Sequence, residues 1–205
     1  MTASFKHMEN AADTVSEIIR QSIIPRNIEF MDNASIQCVE SQLNIGLDVN
    51  AGALLIMAVD GSHGEVVSGI EKLRAVCERM GAMEIRVAQS SQEAQNLWRA
   101  RKAISPALFK YGPDKINEDI VVPRSKIPDM VRRIKALKDK TGLTIVAFGH
   151  AGDGNIHFNI MLDRRNPEVL KLAEKTIETL FDYTLELGGT ISGEHGVGIS
   201  KMPYI

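Results

Sequence analysis

Cysteine is scarce in this sequence, and the two present, Cys38 and Cys77, stand far apart and outside any C-x-x-C context. They read as two buried, reduced thiols of a cytoplasmic protein, not as a disulfide framework. An excess of charge is missing as well. Lys and Arg number 24 against 26 Asp and Glu, a formal net charge of -2. There is no basic stripe, so nucleic acid is not an expected partner. No apolar run approaches the ~20 residues of a membrane span, and the opening "MTASFKHMENAADT" is too polar for a signal peptide. Aromatics make up only 5%, with Trp98 the single tryptophan, and its expected role is packing. No internal repeat or low-complexity segment is visible. What is there is an ordinary globular composition, 205 residues at 44% apolar and 24% charged, enough for one or two domains. The expectation is a single domain over residues 1–205.

Periodicity organises the chain. Residues 8–22 carry Ala12, Val15, Ile18 and Ile19 at helical spacing, and Pro25 closes that segment. "ALLIMAVDG" predicts a buried strand and a turn, and "GEVVSGIEKLRAVCERMG" a helix stopped by Gly81. "MEIRVAQ" alternates as a strand, and Ser90-x-x-Glu93 opens a helix with a capping box. "EDIVVP", "LTIVAFG" and "NIHFNIML" predict three more strands. "SKIPDMVRRIKALKDKTG" predicts a helix from an N-cap at Ser125 to Gly142. A last helix starts at Asn166-Pro167 and ends before Gly188-Gly189. This order implies an α+β fold, a mostly antiparallel, ferredoxin-like sheet with helices packed on one face. A parallel doubly wound sheet usually has a Gly-rich phosphate loop after its first strand, and "VDGSHGEVV" lacks that pattern.

The stretch "FGHAGDGNIHFNI" is dense in potential ligands. Asp153-Gly154 is a strong two-residue hairpin signal. With those two residues as the loop, His150 faces His157, about 5 Å apart on one face of the sheet. Two neutral imidazoles held so close can share a divalent metal. Asp153 is a weak third ligand, because a turn residue points away from the strand faces. Asn159 follows on the same face as His157.

A second group lies in "GGTISGEHGVGISK". In an extended segment Glu194 and His195 point to opposite sides, so one metal could take Glu194 but not easily His195 too. Glu194 would complete a His-His-Glu set with open positions, the form of a catalytic site. His195 would sit beside the metal and move protons. Arg101 falls within the apolar stripe Leu97, Ile104, Leu108, where a guanidinium needs a partner. That partner is either a protein carboxylate or a substrate carboxylate.

These motifs, together with "LWRARKAI" and "EDIVVPRSKIP", resemble the C-terminal half of FAD-linked 2-hydroxyacid dehydrogenases. These are the D-lactate, glycolate and D-2-hydroxyglutarate dehydrogenases of the vanillyl-alcohol-oxidase-like superfamily. The resemblance implies a substrate or cap domain. It implies a divalent metal, zinc by preference, on His150, His157 and Glu194, and His195 as the base that takes the 2-hydroxyl proton. It also implies that Arg101 holds the carboxylate of a small 2-hydroxy acid and that Asn159 lines the pocket. Some family members place a lysine where Asn117 stands here. The family's FAD-binding domain precedes this region, and its chains continue past "GISK". The expectation is therefore a truncated protein, an expressed domain, or half of a split enzyme served by a separate FAD-binding chain or electron acceptor. Its cofactor residues stay unassigned. A cytoplasmic location follows, peripheral to a membrane only through redox partners. A face left bare by a missing domain would favour a homo-oligomer. Two other readings stay open: a stand-alone metal-binding or hydrolytic domain using the same residues, and an inactive remnant.

Overall fold

The computed structural model describes residues 1–199 and 201–204. Seven strands alternate with six helices: β1 (Thr2–Phe5), α1 (Met8–Arg20), β2 (Asn27–Asp32), α2 (Asn33–Leu43), β3 (Ala53–Ala58), α3 (His63–Arg79), β4 (Glu84–Arg86), α4 (Ser91–Ala107), β5 (Asp114–Val121), α5 (Ile127–Thr141), β6 (Thr144–His150), β7 (Asn155–Leu162) and α6 (Pro167–Glu186). The strands form one sheet in the order β4-β1-β3-β2-β6-β7-β5. Every pairing is antiparallel. The α+β class and the antiparallel sheet are as the sequence implies.

The helices are distributed differently from the expectation. α1, α3, α5 and α6 pack on one face, where Phe5, Ile28, Phe30, Leu55, Ile145, Phe158 and Ile160 form the main core with Ile18, Leu73, Ile134 and Phe181. α2 and α4 lie on the opposite face, where Ile36, Val39, Ala100 and Ile104 meet Met31, Leu54, Ile56, Val146 and Phe148. Burying each large side chain in these layers is worth about 1.5–3 kcal/mol. The second layer exists because successive strand residues point to opposite faces and the second set is apolar at Met31, Leu54, Ile56, Val146, Phe148 and Met161, under α2 and α4.

β1, β2 and α2 had no clear sequence signal. β1 is four residues long, and its Ala3 and Phe5 enter the core while Thr2 and Ser4 face the other way. α2 starts on Asp32, whose carboxylate accepts from the Ser35 amide at 2.8 Å, and ends on Asn44 in the left-handed region. Ser125 does not cap α5. It lies in a 3-10 turn (Arg124–Lys126), and the N-cap position is Lys126 without a side-chain cap. Gly142 closes that helix at φ 66° as expected, and Asn166 caps α6 through the Glu168 and Val169 amides. Among the described residues no helix is long and apolar enough to cross a membrane. Cys38 and Cys77 are both free and buried.

Candidate metal and substrate site

The site lies on the α2/α4 face at the end of β2, β6 and β7. The hairpin between β6 and β7 is not the two-residue loop expected. Phe148, not His150, pairs with His157, and a four-residue turn, residues 151–154, closes the hairpin. The Asp153 amide bonds back to the His150 carbonyl at 3.0 Å, and the Gly152 amide anchors the turn to the Ile28 carbonyl at 3.1 Å. Gly154 has φ 79°, and a Cβ there would overlap the Val122 carbonyl oxygen. The offset from the expected register is two residues. A one-residue slip turns every side chain over, but a two-residue slip returns it to the same face. His150 and His157 therefore still share a face as diagonal neighbours, with ring centroids 5.4 Å apart. Asp153 is exposed in the turn and away from them.

Glu29 holds His150 from behind, and Arg101 in turn holds Glu29. Glu29 on β2 is opposite His150 in register, and its Oε1 lies 2.7 Å from His150 Nδ1. With Glu29 ionised, Nδ1 must carry the hydrogen, which leaves Nε2 free to coordinate. The other oxygen of Glu29 accepts from Arg101 Nε at 2.7 Å. Arg101 is therefore paired with a protein carboxylate. Its terminal nitrogens make no hydrogen bond among the described residues, and its guanidinium lies over the Phe148 ring at 4.9 Å. Burial alone would raise the Glu29 pKa, but His150 and Arg101 hold it below the ordinary value. The Glu29 hydrogen bond raises His150 against the opposing effect of burial. His157 moves the other way. Burial first, then the Arg101 charge, lower it to about 4, so it is a neutral imidazole at neutral pH.

The C-terminal segment supplies the rest. Thr190 pairs with Val121 at the edge of β5, and the chain then runs past Asp119. Glu194 reaches His150, with Oε1 to Nε2 at 3.7 Å. Ligand atoms of His150, His157 and Glu194 all lie within 4.8 Å of one another. His195 stands beside this group, stacked on His157 with centroids 5.6 Å apart, and Asn117 Nδ2 is 3.5 Å from its Nδ1. Asn159 is fully buried beside His157, and its Nδ2 donates to the Val146 and His157 carbonyls at 3.3 Å. Its Oδ1 has no partner among the described residues. The structure thus brings His150, His157, Glu194, His195 and Arg101 together, with Asn159 beneath them.

Sequence reasoning passed over four residues around this group. Glu29 interrupts an apolar strand, and Asp119 lies inside "EDIVVP" as a buried acid, so the signal for both was a carboxylate at a core position. Asn155 donates through Nδ2 to Asp119. Lys201 is buried, donating to the Ile191 carbonyl at 2.7 Å and the Asp119 carbonyl at 3.2 Å, with Glu118 at 3.4 Å.

This fold is that of one part of several solved enzymes. It superimposes on p-cresol methylhydroxylase with substrate bound at a TM-score of 0.66 and 15% identity, over 93% of this chain and 44% of that one. On 4-ethylphenol oxidase from Gulosibacter chungangensis the TM-score is 0.59 at 16% identity, over 93% and 44% of the two chains. Identities this low establish the shared fold alone. Sequence narrows the class to a family. Residues 1–205 match the family described as FAD linked oxidases, C-terminal domain, and the chain belongs to that family. It is similar to the glycolate oxidase subunit GlcD of Bacillus subtilis (strain 168), 40% identical over all of this chain and 44% of that protein. It is also similar to the D-lactate dehydrogenase of Anaerostipes hadrus, 29% identical over 98% of this chain and 44% of that one. The chain thus spans less than half the length of these relatives.

Proposed function

We propose that this domain forms the substrate side of an FAD-linked dehydrogenase that oxidises a D-2-hydroxy acid to the 2-oxo acid. The acid would be of the glycolate, D-lactate or D-2-hydroxyglutarate type, in keeping with the names its relatives carry. The observation that carries this reading is the convergence of His150, His157 and Glu194. Two imidazoles and a carboxylate suit zinc and leave coordination positions open. His150 would bind through Nε2, because Glu29 occupies Nδ1. His157 would need no deprotonation near neutral pH.

When bound, the metal would supply a Lewis acid that lowers the pKa of the 2-hydroxyl group. The family's flavin, when bound, would supply the two-electron acceptor. The chain's own residues do the remaining work. His195 takes the hydroxyl proton as general base. The O–H electron pair then forms the carbonyl bond as hydride leaves C2. The free terminal nitrogens of Arg101 hold the substrate carboxylate, and Glu29 fixes the guanidinium plane through Nε. Asn159 supports the floor beside His157.

The test is metal content. Wild type and His150→Ala are incubated with zinc, desalted and analysed, and the expected outcome is one zinc per wild-type chain and a large loss in the variant. Equal metal in both sinks the site. With the flavin part supplied, His195→Ala should abolish turnover while metal stays bound. Loss of metal instead would reassign His195 as a ligand.

A further inference from the structure

Glu194 and His195 sit on an exposed glycine-flanked segment without regular secondary structure, yet their positions matter most. Something must hold that backbone. Asp119 is fully buried in β5, and its Oδ2 accepts from three successive amides: Gly193 at 3.0 Å, Glu194, and His195 at 2.8 Å. Its Oδ1 accepts from Asn155 Nδ2. Three consecutive N–H groups turned on one anion form a nest, and hydrogen bonds to a charged acceptor are roughly twice as strong as neutral ones. Gly193 makes the approach possible, since a Cβ there would overlap Asn155 Nδ2 and come within 2.8 Å of Asp119 Oδ1. An acid that is fully buried and satisfied by the backbone of two functional residues has no need to be there for burial alone. An apolar side chain would suit β5 better.

We propose that Asp119 is the positioning residue of this site, a buried carboxylate that clamps the Gly193–His195 backbone and so sets Glu194 and His195 against His150 and His157. It rests on the reading of those four side chains as one site. Asp119 also stands, through its Oδ1, 3.8 Å from His157 Nδ1. It acts through the three amides, and Asn155 keeps it from rotating.

Asp119→Asn removes the charge and one acceptor oxygen. Gly193→Ala leaves the carboxylate intact and pushes the segment off it, so it decides the matter where the first variant fails to fold. Three readouts apply to this chain as it is. In wild type the amides of residues 193–195 should be protected from hydrogen exchange, and ring-proton NOEs should join His157 to His195. Both should be lost in the folded variants while the β7 amides keep their protection. Zinc affinity by calorimetry with zinc chloride should fall roughly 10–100-fold, as for other residues that orient ligands. Unprotected wild-type amides, a persisting His157–His195 contact in the variants, or unchanged zinc affinity in them each overturns the proposal. Should wild type bind no zinc, the metal reading fails by itself, and the exchange and NOE results still decide the clamp.

Discussion

The two faces of this sheet are made by the same strands and differ in chemistry where the site lies. On β7 every residue is buried. Ile156, Phe158 and Ile160 enter the main core, while His157 and Asn159 point the other way. β2 repeats the contrast with Ile28 and Phe30 against Glu29, and β5 with Ile120 against Asp119. A strand buried on both sides normally reads as continuous apolar sequence. Here the alternation marks core against site rather than inside against outside. The second face is itself apolar under α2 and α4, where Met31, Leu54 and Ile56 lie, and turns polar toward both edges of the sheet, at Thr2 and Ser4 on β1 and at His157 and Asn159 on β7. The buried acids Glu29 and Asp119 are tolerated there because each finds partners: Glu29 has Arg101 and His150, and Asp119 has three amides and Asn155.

Breaking the apolar face should have the largest effect on stability. Phe158→Ala should cost about 3–5 kcal/mol, read from urea unfolding, with the zinc stoichiometry of the folded fraction unchanged. A loss of zinc sites in the folded fraction would mean that the two faces are coupled. On the polar face the effect should depend on pH. The unfolded His157 imidazole takes its proton near 6.5, and the folded one near 4. Across that window the unfolded chain binds more protons, so this residue makes the metal-free protein less stable as pH falls. His150, raised by Glu29, works the opposite way. It stabilises below its unfolded pKa and loses that contribution as pH rises through its folded pKa. The net loss from about pH 7 to about pH 4.5 should be at most roughly 2 kcal/mol. His157→Asn should flatten the slope, and an identical slope would contradict the burial argument. The smallest effect belongs to the turn. Asp153→Ala should change stability by no more than about 0.5 kcal/mol and leave zinc binding intact. A tenfold weaker affinity would bring Asp153 back as a ligand.

Much of this was legible in residue order. The long amphipathic helices, the strand over 155–162 and the Gly142 and Asn166 boundaries follow from period and capping. The hairpin register did not, because Asp153-Gly154 is a strong local signal that lost to the anchoring of the turn on β2. α2 was hidden by its weak amphipathicity and β1 by its length. The site was half legible. His150, His157, Glu194 and His195 announce themselves by type and spacing, while Glu29 and Asp119 look like stray acids until the sheet is assembled.

Sequence alone determined that His150, His157 and Asn159 share one face. Strand alternation has period two, so a register change of two residues leaves that statement untouched. It determined the glycines that make the turn at Gly154 and the close approach at Gly193 possible, and an arginine inside an apolar stripe. Tertiary structure alone decided which carboxylates serve them. Glu29 meets His150 across 121 residues and Arg101 across 72, and Asp119 meets His195 across 76. Such pairings leave no trace in local spacing. They are selected when strands close into a sheet and each buried charge must find the partner that offsets its desolvation.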